Sequence, residues 1–255
     1  MDPDLHMEGV RVQDQVSAQK PGVFLTAEWK NLVMMNYMVD PGLLRKLLPA
    51  GTELDLFQEQ AYVSLIGFEF NQTRVHGVAI PFHSNFEEVN LRFYVKRFTR
   101  RGVVFIREFV PKRAIAAAAR FLYGEKYLRV PMAHSIRIDP GRDSAEVEYS
   151  WGSGASRCFL RIETQEPSFL PVEGSLSQFI TEHYWGYTPR SSGGCREYEV
   201  QHPQWLAREA KRAEFSGDAT RFYGDEFGKV LERPPDSALL AEGSAVTVFR
   251  GSRIA

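Results

Sequence analysis

Between residues 86 and 98, hydrophobic and polar side chains alternate with a period of two. Successive side chains of a β-strand point to opposite faces of its sheet, so this pattern predicts an antiparallel strand with one apolar face. The apolar positions are Val89, Leu91, Phe93 and Val95, and the polar positions are Glu88, Asn90, Arg92, Tyr94 and Lys96.

Further segments rich in strand-forming residues follow one another along the chain, separated by turn signals such as Pro140-Gly141 and Gly152-Ser153-Gly154. About ten short strands with two or three inserted helices predict a mostly antiparallel β fold (α+β) that is closed or strongly curled to hide its edges. The other predicted strands are residues 23–39, 53–57, 61–70, 103–109, 128–138, 145–151, 157–163, 196–200 and 245–250.

Three helices are predicted from their N-terminal signals. Asp40 and Pro41 begin a short one, and Ser175 with Gln178 forms a capping box for another. The third begins at Pro111, contains the four alanines 116–119, and lies between two strands within residues 102–131. We expect this strand–helix–strand unit to be central to the fold.

Composition limits the functional classes. The 255 residues have a net charge of −1 with acidic and basic residues interleaved, which argues against nucleic acid as a partner. No apolar run is long enough to cross a bilayer, and no signal peptide is visible. Free thiols at the two cysteines would fit a reducing compartment, so we expect a cytoplasmic protein. Residues 1–22 read as a flexible leader and residues 23–255 as one domain.

Lys112 and Arg113 are the first candidate site, because two cations lie in the first turn of a helix, where the dipole disfavours them. A lysine beside a second cation and apolar alanines would have a lowered pKa and could attack a carbonyl. Alternatively, both cations hold a substrate carboxylate. The structural alternative is that Glu108 pairs with one of them and the remainder is solvated surface.

The polar face of the strand at 86–98 is the second candidate site. In a closed β-structure, Glu88, Asn90, Arg92 and Tyr94 would line a cavity and orient a ligand, or they would form the wet outer face. His134 falls on the apolar side of its strand, which is typical of a satisfied core or cavity-wall histidine, and as part of a cavity wall it would belong to the substrate-binding residues. No His or Cys spacing suggests a metal site, and no hydrolase, phosphate-binding or dinucleotide motif is present.

Several segments resemble the YqjF-like proteins, a bacterial family of unknown function related to the acetoacetate decarboxylases. The resemblance implies a single domain with a curled antiparallel sheet or barrel around a central cavity. The segments are TAEWKNLVMMNYMVDPGLLRKLLPAGTELDLF, AYVSLIGFEF, EEVNLRFYV, GVVFIREFVPKRAIAAAARFLYGEKY, FITEHYWGYT and VQHPQW.

The resemblance also implies site residues. Acetoacetate decarboxylases carry an Arg-Glu pair followed by Pro-Lys-Lys. The first of these two lysines forms a Schiff base, and the cation beside it activates it as a nucleophile. Here Arg107-Glu108 and Pro111-Lys112-Arg113 are similar. Lys112 would be the nucleophile, with Arg113 and Glu108 beside it and Arg107 among the substrate-binding residues.

Two functional interpretations follow. The first is a Schiff-base lyase, such as a decarboxylase, aldolase or dehydratase, acting on a keto acid without a metal or other cofactor. The second is a non-catalytic binding protein for a small, partly apolar carboxylate or carbonyl compound. A third, interaction-based role would use Tyr184, Trp185 and Tyr187 as an exposed partner surface, including one between copies in a homo-oligomer.

Overall fold

The structure, a computed structural model, describes residues 22–111, 127–190 and 193–254. These residues form sixteen strands and three α-helices. The helices are α1 (Pro41–Arg45), α2 (Leu176–Thr181) and α3 (Ala219–Leu231). The strands are β1 (Val23–Val39), β2 (Glu53–Leu54), β3 (Ala61–Val75), β4 (Val78–Ala79), β5 (Phe86–Arg97), β6 (Arg100–Val110), β7 (Tyr127–Arg129), β8 (Met132–Asp139), β9 (Ser144–Trp151), β10 (Cys158–Thr164), β11 (Trp185–Pro189), β12 (Cys195–Gln201), β13 (Ala207–Glu209), β14 (Arg212–Ser216), β15 (Ser237–Phe249) and β16 (Ser252–Ile254).

Seven strands close into a barrel. They pair in the order β15-β1-β3-β5-β6-β11-β12, and β12 pairs back to β15 through Val200 and Val248. Every pairing in this ring is antiparallel except that of β6 with β11, which is parallel. Closure satisfies the hydrogen-bonding groups that an open sheet leaves at its edges. The prediction of a mostly antiparallel, curled β fold with few helices is therefore confirmed.

A second sheet packs on the outside of the barrel. Its four strands pair in the order β14-β10-β9-β8. Between this sheet, α3 and the outer face of β5 lies a packed core that contains Leu91, Phe93, Trp151, Leu160 and Tyr223. The alternation of residues 86–98 thus places its apolar side chains in this core and Glu88, Asn90, Arg92 and Tyr94 toward the barrel interior, whereas Lys96 lies on the surface.

The helix termini follow their sequence signals where the structure describes them. Asp40 accepts a hydrogen bond from the Gly42 N–H at the start of α1. At α2, Ser175 Oγ accepts from the Gln178 N–H, as the predicted capping box requires. The predicted helix after Pro111, including its alanines, lies outside the described residues.

Several elements differ from the sequence prediction. The strands β11, β13 and β14 were not predicted, and β15 begins at Ser237 rather than at residue 245. The strand predicted at 128–138 is two strands, β7 on the barrel and β8 in the second sheet. The helix α3 was not predicted at all. It contains Gly224 with φ +79°, which interrupts the helical backbone and the periodicity that would otherwise reveal it. Among the described helices, none has the length and apolarity needed to span a membrane.

Candidate functional site

The barrel encloses a cavity of about 130 Å³. Each of the seven barrel strands contributes to its wall, and most of that wall is aromatic or aliphatic. Such a lining is typical of sites that bind small molecules through an apolar body and a few placed polar groups. The aromatic members from the strands and their connections are Phe24, Trp29, Phe68, Phe70, Phe86, Phe105, Tyr127, Trp185, Tyr198 and Trp205.

Three polar residues predicted on β5 lie on this wall: Glu88, Asn90 and Arg92. Asn90 Nδ2 donates a hydrogen bond to Glu88 Oε1 at 2.9 Å, and the Tyr127 hydroxyl donates to Glu88 Oε2 at 3.1 Å. Glu88 and Asn90 are almost fully buried. The strand therefore brings a carboxylate, an amide and a guanidinium to one side of an otherwise apolar cavity.

Arg92 is held by neutral groups. Its Nη2 donates to the Ile180 carbonyl at 3.2 Å, and its guanidinium lies 5.6 Å from the centre of the Tyr94 ring. Its Nε is buried and has no hydrogen-bond partner among the described residues. Arg92 also forms no ion pair with any of these residues. Arg92 is partly buried, and a cation withdrawn from water without an acidic partner is stabilised when an anion or water compensates its charge.

Tyr94, the fourth predicted residue on β5, does not line the cavity. Its ring is buried against α2, and its hydroxyl lies 2.5 Å from Ser64 Oγ, which in turn donates to Asn36 Oδ1 at 2.6 Å. These three polar groups satisfy one another inside the barrel. The hydroxyl of Tyr94 is therefore committed to a structural network.

Arg107 and Glu108 lie on opposite faces of β6. Glu108 is the cross-strand partner of Asn90, so its buried side chain shares the interior face. Arg107 is the partner of Leu91 and shares the outer face, on the side of the core between the two sheets. The prediction that Arg107 contributes to the same site as Arg92 is not supported by this placement.

His134 is placed differently from its prediction. Its side chain is 38% exposed on β8, and Nδ1 lies 2.7 Å from Glu87 Oε1. The apolar alternation of β8 suggested burial, but β8 is an edge strand of the outer sheet, and this face of it meets the carboxylates of Glu87 and Glu69. The prediction of a core or cavity-wall histidine is therefore wrong.

Lys112 and Arg113 lie outside the described residues. Pro111 is the last described residue before them, and it follows directly on Val110, which is buried in the interior cluster of the barrel. Their proposed roles therefore remain predictions.

The sequence predictions missed His183, which lines the cavity immediately after α2. Its Nε2 lies 3.3 Å from Asp55 Oδ2, and Arg101 Nε donates to the same oxygen at 2.7 Å. The Tyr94 ring lies 4.5 Å from the imidazole, centre to centre. Asp55 and His183 are 128 residues apart in the sequence, so no local pattern could have revealed the pair.

Burial governs the protonation of this pair. Burial lowers the pKa of His183 to about 4, and the nearby Arg101 and Arg92 act in the same direction, against the opposing effect of Asp55. Burial alone would raise the pKa of Asp55, but the hydrogen bonds from His183 and Arg101 lower it below its ordinary value. At neutral pH the pair is therefore a carboxylate beside a neutral imidazole.

An aromatic cluster forms another part of the wall and was also missed. The His202 ring stacks on Trp205 at 4.1 Å and lies 4.8 Å from Tyr184, and Trp29 packs 6.1 Å from Trp205. Burial lowers the pKa of His202 to about 4. These flat faces give the cavity an apolar end suited to a ring or a hydrocarbon chain.

The expected partner surface of three exposed aromatics is not present. Tyr187 is fully buried, and Tyr184 and Trp185 are partly buried, with Trp185 on the cavity wall. Within the described residues, no group of three or more His, Cys, Asp or Glu side chains is arranged to hold a metal ion.

Comparison with known proteins agrees with this architecture. The model of the DUF2071 family, described as an uncharacterized conserved protein, matches residues 26–245. The chain belongs to this family. It is also 25% identical over 204 residues to the uncharacterized protein YqjF of Bacillus subtilis (strain 168), an alignment that covers 79% of this chain and 82% of YqjF.

Solved structures share the fold at low sequence identity. The enduracididine biosynthesis enzyme MppR, complexed with pyruvate, superposes with a TM-score of 0.65 at 14% identity, over 94% of this chain and 93% of its own. Acetoacetate decarboxylase from Legionella pneumophila superposes with a TM-score of 0.64 at 12% identity, over 99% and 98%. The DUF2071 chain therefore has an acetoacetate decarboxylase-like fold.

Proposed function

We propose that the barrel cavity binds a small, partly apolar molecule that bears a carboxylate or a carbonyl. The observation that carries this proposal is Arg92, a partly buried guanidinium on an aromatic wall, whose Nε is fully buried and which forms no ion pair among the described residues. An organic anion would supply the missing negative charge, and its apolar part would pack on the rings.

Two further buried polar atoms on the cavity wall support the proposal. Asn90 Oδ1 and Trp29 Nε1 have no hydrogen-bond partner among the described residues. Buried polar groups in native proteins are nearly always satisfied, so groups without a protein partner are natural contacts for a ligand or for ordered water. Together with Arg92 they provide donors and an acceptor around one space.

The binding test uses phenylpyruvate, which combines a ring, a ketone and a carboxylate. The affinity of the protein for phenylpyruvate is measured by calorimetry. Arg92→Gln should weaken phenylpyruvate binding at least about tenfold, because the ion pair is lost, but should change the affinity for uncharged 3-phenylpropanamide little. The matched control is Arg137→Gln, since Arg137 lies exposed on β8. Unchanged phenylpyruvate affinity in the Arg92 variant, or no binding by the wild type, would contradict the proposal.

We further propose that the bound carbonyl compound reacts with Lys112, which would make the protein a Schiff-base lyase. The Lys112 amine would bond to the carbonyl carbon, the carbonyl oxygen would leave as water, and the resulting iminium would accept the electron pair of the bond broken next. Support comes from the sequence Pro111-Lys112-Arg113 at the end of β6. It also comes from the fold shared with a decarboxylase and with an enzyme complexed with pyruvate.

Reduction with borohydride separates the lyase from a non-catalytic binding protein. With pyruvate or phenylpyruvate present, borohydride should leave a covalent adduct on Lys112 that peptide mass spectrometry locates, and Lys112→Ala should abolish it. Lys96→Ala is the matched control, because Lys96 lies on the surface beside Glu53. Binding without any adduct would contradict the lyase and leave the binding protein as the function.

A further inference from the structure

His183 is a titratable group on the cavity wall whose Nε2 faces a buried carboxylate. Its side chain is 1% exposed, and Nε2 is 3.3 Å from the carboxylate of Asp55. Arg101 Nη2 lies 3.4 Å from the same Nε2, slightly farther than Asp55. A hydrogen bond to a carboxylate is charge-assisted, so the Asp55 contact favours the tautomer with the proton on Nε2.

In that tautomer the other ring nitrogen of His183, Nδ1, carries no proton and can only accept a hydrogen bond. Nδ1 is buried and has no hydrogen-bond partner among the described residues. Nε2 is turned toward Asp55 and Arg101, which do not line the cavity, and Tyr94 covers one face of the ring. Phe179 packs edge-on against the same ring at 5.2 Å between centres. Because His183 lines the cavity, Nδ1 is the polar atom of the ring that is left to meet a ligand.

His183 and Arg92 are neighbours. Both lie against the Tyr94 ring, and Arg92 donates to the carbonyl of Ile180, three residues before His183. A ligand whose carboxylate faces Arg92 therefore presents the atoms next to that carboxylate to His183. A bare nitrogen at this position is satisfied by a hydrogen-bond donor on the ligand, or by water when the ligand offers none.

The charges around His183 decide which donor fits. Arg92 and Arg101 are both cations, so an ammonium group beside the ligand carboxylate would be repelled, whereas Asp55 already bonds to Arg101 and to His183 itself. A neutral hydroxyl avoids this repulsion. We propose that the cavity selects 2-hydroxy carboxylates with an apolar tail, and that His183 Nδ1 accepts the hydrogen bond of the hydroxyl.

This inference rests on the binding part of the proposed function, since it requires that the cavity bind an organic acid. It does not rest on the lyase, because a 2-hydroxy acid has no ketone for Lys112 to attack. It adds the chemical class of the ligand and a residue that sets specificity. A site that hydrogen-bonds a ligand hydroxyl discriminates strongly against the analogue without one, because the buried acceptor is then left without a partner. The low pKa of His183, about 4, keeps the imidazole neutral and available as an acceptor at neutral pH.

The test compares three acids with the same skeleton by calorimetry: 3-phenylpropanoate, 3-phenyllactate with a 2-hydroxyl, and phenylalanine with a 2-ammonium group. The wild type should bind one enantiomer of phenyllactate at least about tenfold more tightly than 3-phenylpropanoate, and phenylalanine most weakly of the three. His183→Phe should bind 3-phenylpropanoate as before but lose the preference for the hydroxyl. His83→Gln, a surface change, should retain it.

A second variant tests the same proposal if His183→Phe does not fold. In Asp55→Asn the new amide would donate to Nε2 and move the imidazole proton to Nδ1, so the hydroxyl preference should fall although His183 is still present. Nitrogen-15 NMR of the imidazole in the wild type should show Nδ1 unprotonated in the free protein and shifted by phenyllactate.

The outcomes separate the two proposals. If neither phenyllactate nor 3-phenylpropanoate binds, the proposed function fails and this inference fails with it. If both bind with equal affinity, or phenylalanine binds most tightly, only the hydroxyl selectivity is overturned. A protonated Nδ1 in the free wild-type protein would also overturn it.

Discussion

Gly186 and Tyr198 face each other across the β11–β12 ladder, and the tyrosine ring lies directly on the glycine backbone. A Cβ at residue 186 would lie 2.5 Å from both Cε2 and the hydroxyl oxygen of Tyr198. Both residues are part of the cavity wall. The absence of a side chain at Gly186 therefore fixes how far the Tyr198 ring reaches along that wall.

Gly186→Ala should lower the free energy of unfolding by about 1–3 kcal/mol, because the ring must move out of a packed position. Urea denaturation measures the change. Gly141→Ala is the matched control: Gly141 is exposed, and its N–H bond to Asp139 survives the substitution. The control should stay within about 0.5 kcal/mol of the wild type. A Gly186 variant as stable as the control would show that Tyr198 does not depend on this contact.

The Asp55–His183 pair should make stability depend on pH. Unfolded His183 takes up its proton near pH 6.5, whereas the folded side chain does so only near pH 4. Between these values the unfolded state binds more protons, so the free energy of unfolding should fall as the pH is lowered, by up to about 1.4 kcal/mol per pH unit from this group.

Urea titrations of the wild type and His183→Gln between pH 4.5 and 7 isolate this contribution. The other histidines are common to both proteins, so the difference between the two curves reports on residue 183. The wild type should lose stability more steeply toward low pH than the variant. Parallel curves would mean that His183 is not held neutral by its surroundings.

The Tyr94 hydroxyl should contribute to stability through Ser64. Tyr94→Phe removes one buried hydrogen bond but leaves Ser64 bonded to Asn36, so the free energy of unfolding should fall by about 1 kcal/mol. Tyr62→Phe is the control, since the Tyr62 hydroxyl makes no hydrogen bond within the described part of the chain. A loss at Tyr94 no larger than at Tyr62 would contradict the assignment of this hydroxyl to the network.

The sequence was sufficient to predict which side chains of β5 share one face of the sheet. Its period-two alternation separates Glu88, Asn90 and Arg92 from Val89 and Leu91, and register within a closed sheet preserves that separation. The alternation alone left two options, a cavity wall or a wet surface. Closure of the ring through β12 and β15 decides between them, and that pairing joins residues too far apart for any local pattern to reveal.

Histidines show why the rest of the site could not be predicted. His134 lies on the apolar side of its strand pattern and His183 directly follows Glu182, yet His134 is exposed on the second sheet and His183 is buried in the barrel. Asp55, which distinguishes His183, comes from the loop after β2 and meets it only in the folded protein. Which carboxylate meets which histidine is a property of the tertiary structure, so periodicity and spacing do not contain it.

A pair of substitutions on β6 tests whether the barrel interior is hollow. Val103 lines the cavity, and the next residue, Val104, faces the packed core between the two sheets. Both are buried, so the same change to phenylalanine adds the same volume on opposite faces of one strand. Val104→Phe should lower the free energy of unfolding by about 1–3 kcal/mol, because a close-packed core has no room for the ring. Val103→Phe should cost less, since the ring enters empty space, and it should abolish phenylpyruvate binding measured by calorimetry. Equal destabilisation by the two substitutions, with binding intact in Val103→Phe, would show that the ligand does not occupy this cavity.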